Sequence, residues 1–274
     1  MKWLQEKADK RTHQEDEKKL AWLQQYLRGR ILSEITEDDI QQIIDAKLAD
    51  CKAATVNRYL ALIRSIFRRA IRNWKWLLSM PSINLLPEAA RRIRWLSAEK
   101  AHDLLAEVPS HQKSMVVFAL ATGVRQSNVL FLKWEQVDLP NRLVHYTPEQ
   151  MKNGEAFTVA LSEMASQVVQ AQLGKHPEYV FTYRGKPVSS ANTRAWRAAL
   201  LRADIHDFRW HDLRHTWASW HVQNGTPIFS LQELGGWKSQ QMVRRYAHLS
   251  QDHLRIHAEV VGRLVHDTIA PQGG

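Results

Sequence analysis

The sequence predicts a mainly α chain with a small antiparallel β-sheet, an α+β fold in two parts. Three observations predict it. Apolar residues recur at helical spacing along most of the 274 residues. Between residues 136 and 161 that spacing gives way to short alternating segments, with Pro140, Asn141, Asn153 and Gly154 at the turns. Glycine is scarce, 11 against 11 tryptophans, which suits a rigid chain of packed helices. The 44% apolar content belongs to a globular chain rather than a disordered one.

Residues 1–90 read as helical. A charged amphipathic stretch over 15–28 carries Leu20, Trp22, Leu23 and Leu27 and breaks at Gly29. Thr36 followed by Glu37, Asp38 and Asp39 has the form of an N-cap with acids in the first turn, opening a helix to about Leu48. Thr55 is expected to cap the next helix, over 55–75. Pro81 and Pro87 then interrupt, so residues 79–94 read as a linker ending in Arg91, Arg92 and Arg94. Ser97 opens another helix, and an apolar helix over 111–122 ends at Gly123. Strands are expected at 137–139, 142–146 and 156–161. Helices resume near Glu163, with Tyr179, Val180 and Phe181 as a short buried segment, and continue over 189–204, 211–223, 227–234 and 239–248. Leu254, Val261, Leu264 and Val265 make 251–267 a further amphipathic helix, and residues 271–274 are expected to fray.

Charge narrows the partner. The chain holds 38 Lys and Arg against 28 Asp and Glu, a net +10, and the first 94 residues carry 19 of those bases against 12 acids. Residues 55–75 hold six bases and no acid. On a helical wheel Val56, Leu60, Ile63, Ile66, Phe67, Ala70, Ile71 and Trp74 share one arc, and Arg58, Arg64, Arg68, Arg69, Arg72 and Lys75 share the opposite one. Such a cationic strip binds DNA by releasing condensed counterions; a solvated basic face is the plain alternative. The single Cys51 excludes an intramolecular disulfide and a Cys-rich zinc site. No apolar run reaches 18 residues, so no membrane span is expected. The opening residues lack the apolar core of a signal peptide, and a cytoplasmic location is expected.

Four local patterns carry chemistry. Thr122, Gly123 and Arg125 place a guanidinium just past a glycine that ends a helix. Lys152 sits at a hairpin turn beside Asn153 and Gly154. His211 and Arg214 stand three apart on one helical face. Trp237 follows Gly235 and Gly236, and Tyr246 comes nine residues later. Each has an ordinary structural explanation alone: a helix cap, a solvated lysine, a buried pair, core packing. In this order and spacing they resemble the tyrosine recombinases, and among them the phage and prophage integrases, over nearly the whole chain. The resemblance implies a helical core-type DNA-binding domain over residues 1–90, of the SAM-like kind, a catalytic domain over 91–265 and a flexible tail over 266–274. It implies that Arg125, Lys152, His211, Arg214 and Trp237 assemble round a phosphodiester and that Tyr246 is the nucleophile. Two departures stand out. Asn128 replaces an acid common three residues after the first Arg, and is expected to orient that guanidinium as an amide. Trp237 replaces a more common His.

These residue types suit the implied reaction. Guanidiniums make forked hydrogen bonds to phosphoryl oxygens and stay protonated. Two of them near a phenol, whose ordinary pKa is about 10, favour the phenolate form in the transition state. His211 can take the phenol proton or bond the phosphate, Lys152 can protonate the 5′ leaving oxygen, and the Trp237 indole can only donate. The implied product is a 3′-phosphotyrosyl link, resealed without ATP, in DNA integration or excision. No cofactor and no metal are called for. The implied partners are double-stranded DNA, further copies of the chain in a homotetramer on two duplexes joined through the C-terminal tail, and a host DNA-bending protein. Three rivals stand beside it: a metal hydrolase using His211 and His215, a type IB topoisomerase-like enzyme, and a non-catalytic DNA-binding relative.

Overall fold

The computed structural model describes residues 2–10, 12–88, 93–151, 154–249, 259, 261, 262 and 265. The chain forms two compact units, residues 1–91 and 92–274.

The first unit contains α1 (Lys2–Glu6), α2 (His13–Leu27), α3 (Glu37–Leu48) and α4 (Ala53–Arg72). Thr36 caps α3 as its sequence predicts. Its hydroxyl accepts the Asp39 N–H at 3.3 Å while the Asp39 carboxylate accepts the Thr36 N–H at 2.8 Å, a reciprocal box worth about 1 kcal/mol. The apolar stripes of α2, α3 and α4 meet in a core of Leu23, Ile40, Ile43, Val56, Leu60, Ile63 and Phe67. Helix α4 starts two residues before Thr55. Its N-cap is Lys52, without a side-chain bond, and Thr55 lies in the first turn, its N–H donating to the Lys52 carbonyl. The helix stops at Arg72, and Lys75 lies past it at a φ of 57°.

Two expectations for this unit change. The first is the linker. The Asn57 amide donates to the Leu86 carbonyl at 2.9 Å and accepts its N–H at 2.8 Å, as a neighbouring strand would, and Ile83 is buried in the core. Residues 83–86 therefore belong to the first unit. The second is the strip. Glu6 of α1 takes a hydrogen bond from Arg69 at 2.6 Å and one from the Trp74 indole at 2.8 Å, so the basic face does have an acidic partner. Arg58, Arg68, Arg72 and Lys75 are exposed, and Arg64 is half-buried.

The second unit runs α5 (Ala98–Glu107), α6 (Ser110–Thr122), α7 (Gln126–Leu130), β1 (Val137–Asp138), β2 (Leu143–Tyr146), β3 (Phe157–Ala160), α8 (Glu163–Gln170), β4 (Thr182–Tyr183), β5 (Lys186–Pro187), α9 (Arg194–Arg202), α10 (Asp212–Gln223), α11 (Ile228–Gly235) and α12 (Gln240–Arg244). Helix α6 buries Gln112, Met115, Val116, Phe118, Ala119, Leu120 and Thr122, residues from every side of the cylinder, because α8 and α10 both pack on it. The sheet has order β1-β2-β3, all antiparallel, with Val144 opposite Val159. Val144, Tyr146 and Val159 face the core, and His145 and Thr158 face out, the alternation read from sequence.

Helix α9 starts at Arg194, not 189, because Thr182–Tyr183 and Lys186–Pro187 pair across Gly185 and Thr193 then supplies the cap. Helix α12 ends at Arg244, and a 3-10 turn, Ala247–Leu249, replaces the rest of the expected helix. The expected tail helix over 251–267 and the tail over 266–274 fall almost wholly outside the described residues, as do Arg91 and Arg92.

Candidate active site

Helix α6 delivers the first guanidinium. Gly123 ends it at a φ of 63°, its N–H closing on the Ala119 carbonyl. A Cβ at Gly123 would overlap the Trp217 indole, so glycine is required here by conformation and by space together. Arg125 follows in extended conformation as the N-cap of α7, half-buried. Burial draws its pKa down, and among the described residues its guanidinium has no hydrogen-bond acceptor. Asn128 does not orient it. The Asn128 side-chain amide lies buried against the Met151 sulfur at 3.3 Å, while the Asn128 backbone carbonyl accepts from the Tyr146 hydroxyl. Asn128 thus anchors the β2–β3 hairpin next to position 152. Lys152 itself lies outside the described residues. Beside that turn, Glu155 meets Lys238 at 3.6 Å, and a Cβ at Gly236 would press on the Phe157 ring, so the hairpin lies against the loop after α11.

Helix α10 supplies the second guanidinium. Asp212, buried in its first turn, accepts the Arg209 N–H at 2.8 Å and pairs with the Arg209 guanidinium at 3.0 Å, which fixes the start of the helix. Arg214, two residues on, is 5% exposed. It donates to the carbonyls of Gly123 and of Gly235, the latter at 2.6 Å, and its guanidinium carbon lies 4.1 Å from the centre of the Trp237 ring. That approach needs a glycine, since a Cβ at Gly235 would collide with the same ring. Trp217 stacks behind Trp237, ring centres 5.8 Å apart at 30°. Arg214 is therefore held by two backbone carbonyls and one aromatic face. Burial first, and then the charge of Arg125, lowers its pKa. A guanidinium so held remains a cation at neutral pH.

His211 caps α10 at the exposed rim. Partial burial and then the Arg214 charge lower its pKa, with Asp212 opposing. Of the two roles open to His211, taking the phenol proton or bonding the phosphate, the phenol contact goes to His215, one turn further along. His215 Nδ1 lies 2.5 Å from the Tyr246 hydroxyl. Burial depresses the His215 pKa to about 4, and nearby His211 adds to it.

Tyr246 is 1% exposed and sits in a cluster with Trp217, Leu231 and Val243 under the Trp237 ring. Burial pushes its pKa up to about 12, while Arg214 and Arg245 pull it down. At rest, then, burial outweighs the guanidiniums and the phenol stays protonated, which leaves their expected support of the phenolate to the transition state. Arg125, His211, Arg214, Trp237 and Tyr246 all lie in this one region. Sequence reasoning named His215 only as a metal ligand in a rival reading and missed its contact with the phenol, as it missed Trp217 and the Asn128–Met151 contact. For His215 a signal existed: an imidazole one turn after His211 and adjacent to Arg214.

Comparison with known proteins places this geometry. The phage integrase family profile matches residues 94–253, and that of the phage integrase N-terminal SAM-like domain matches residues 4–73. The integrase of Salmonella phage P22 is 39% identical over 95% of this chain and 78% of its own length. The shufflon-specific DNA recombinase of Escherichia coli is 30% identical over 88% of this chain, which spans 65% of that protein. A lambda integrase chain, from a tetramer bound to a Holliday junction, superposes with a TM-score of 0.71 at 20% identity over 86% of this chain and 71% of its own, a likeness of fold. A profile that takes in more than half of the chain, with a relative this similar, leaves one conclusion: the chain belongs to the phage integrase family, the tyrosine-type site-specific recombinases that cut and rejoin DNA.

Proposed function

We propose that Tyr246 attacks a scissile DNA phosphodiester held by Arg125 and Arg214. The phenol oxygen bonds to phosphorus, the bond to the 5′ oxygen breaks, and a 3′-phosphotyrosyl link remains. The phenol proton leaves to water, His211 bonds a phosphoryl oxygen, and Lys152 gives a proton to the departing 5′ oxygen. A 5′-hydroxyl of a second duplex then reverses the step on the new partner, so the phosphoester energy is retained and no nucleotide is spent. One observation carries the reading: the Tyr246 ring and the Arg214 guanidinium contact the same Trp237 indole, the ring centres of Trp237 and Tyr246 being 6.1 Å apart. Arg125 supports it as a cation left without an acceptor among the described residues, ready for an anionic oxygen.

The substrate is double-stranded DNA, and the exposed Arg58, Arg68, Arg72 and Lys75 of the first unit contact its phosphates. The working form is a tetramer on two duplexes, linked through the segment after residue 249, with a host bending protein lowering the cost of curved DNA. No helix among the described residues is long and apolar enough to cross a membrane. The reaction takes place in the bacterial cytoplasm, where the chromosome lies. Two labelled duplexes carrying the site test this: recombinant products are expected. Relaxation of supercoils with no exchange between duplexes would replace recombination with a topoisomerase activity.

A further inference from the structure

His215 makes the only described hydrogen bond to the Tyr246 hydroxyl, and the mechanism above gives it no task. It sits on α10 directly after Arg214, so one rigid helix carries both the guanidinium and the imidazole that meet the nucleophile. Burial first, and then the charges around the ring, keep the imidazole neutral. His211 on the same helix and Arg209 before it disfavour an imidazolium, as does Arg245 beyond α12. The one opposing acid, Asp212, is committed to Arg209. A neutral ring that carries its proton on Nε2 accepts through Nδ1, and the phenol then donates across the 2.5 Å contact. Val243, Leu231 and the Trp237 ring confine the Tyr246 ring but leave its O–H free to turn. The bond to His215 stops that turning and so fixes where the oxygen lone pairs point.

We infer that His215 is a positioning residue for the nucleophile, accepting the phenol hydrogen bond and thereby aiming the Tyr246 oxygen before a phosphate arrives. This rests on Tyr246 being the nucleophile. His215 does not store the proton: its pKa of about 4 lies far below the phenol value of about 12.

The test uses the full chain on a nicked suicide duplex, with DNA affinity and single-turnover cleavage measured separately. His215→Phe keeps a ring and removes the acceptor. His215→Asn returns an amide oxygen close to the place of Nδ1. Both are expected to bind DNA within about twofold of the parent chain. His215→Phe is expected to cleave about 10- to 100-fold more slowly, and His215→Asn within about threefold of the parent. Should the Phe variant not fold, His215→Ala takes its place with the same expected loss. A Phe or Ala variant that cleaves at the parent rate or faster overturns the inference. An Asn variant as slow as Phe also overturns it, because the imidazole would then have to move the proton itself. With Tyr246→Phe run alongside, loss of its adduct beside an unimpaired His215→Phe sinks this inference and keeps the nucleophile. An adduct retained in Tyr246→Phe sinks both.

Discussion

Arg125 and Arg214 divide one task between them. Arg214 is bound to two carbonyls and an indole face, so its position is set before any substrate arrives. Arg125 has no such acceptor among the described residues, and in the proposed mechanism its donors go to the phosphate. Preorganised charge of this kind is where phosphoryl-transfer sites gain most of their rate. Burial of the neighbouring titratable groups has a consequence for stability. An unfolded imidazole titrates near 6.5, whereas His215 titrates near 4 when folded, and His211 and His221 shift the same way. Below about pH 6.5 the unfolded chain binds protons that the folded chain refuses, so stability falls as pH drops toward 4. Thermal midpoints taken between pH 7 and 4.5 are expected to fall less steeply for His215→Asn than for the parent. At the other end, Tyr246 makes stability fall as pH rises from about 10 toward 12. Parallel acid limbs for parent and variant would mean that His215 is not the group titrating.

Among the elements, the α6 terminus is the junction on which both guanidiniums depend, since Gly123 lends its carbonyl to Arg214 and its missing Cβ to Trp217. Gly123→Ala is expected to lose about 2–4 kcal/mol in urea unfolding, from left-handed strain and overpacking. Gly154 has a φ of 70° with open space around it, so Gly154→Ala isolates the strain alone and is expected to lose about 1 kcal/mol. Equal losses at the two sites would remove the argument for Trp217. What the sequence made legible follows the range of the interactions. The Thr36 and Ser97 caps, the Gly123 stop and the alternation of β2 and β3 are local, and local residue types announce them. The β4–β5 hairpin is two residues per strand, too short for alternation to register. The Asn57 clasp, the Glu6–Arg69 pair and the His215–Tyr246 bond each join residues 29 or more apart, and nothing in the local pattern announces them. The order and spacing of Arg125, His211, Arg214, Trp237 and Tyr246 were legible because a helix cap, a helical step and a turn each carry one of them. What each side chain touches was not.

For the whole molecule, a basic first unit and a second unit proposed to bind a phosphoryl group imply affinity carried largely by backbone phosphates. Arg68 and Arg72 are exposed, whereas Arg69 is already paired with Glu6. Replacing both Arg68 and Arg72 by alanine is expected to flatten the slope of log affinity against log salt by about 2, at roughly 0.9 per phosphate, with similar losses on specific and unrelated DNA. An unchanged slope would put this face in solvent. Covalent chemistry at Tyr246 remains the claim on which the rest depends. It is read most directly by incubating the chain with a nicked duplex whose cleaved fragment diffuses away, then locating any attached nucleotide by peptide mass spectrometry. The parent chain is expected to carry a 3′-phosphate ester on Tyr246, and Tyr246→Phe to carry none. An adduct on a different residue, or one that survives in Tyr246→Phe, would contradict the account.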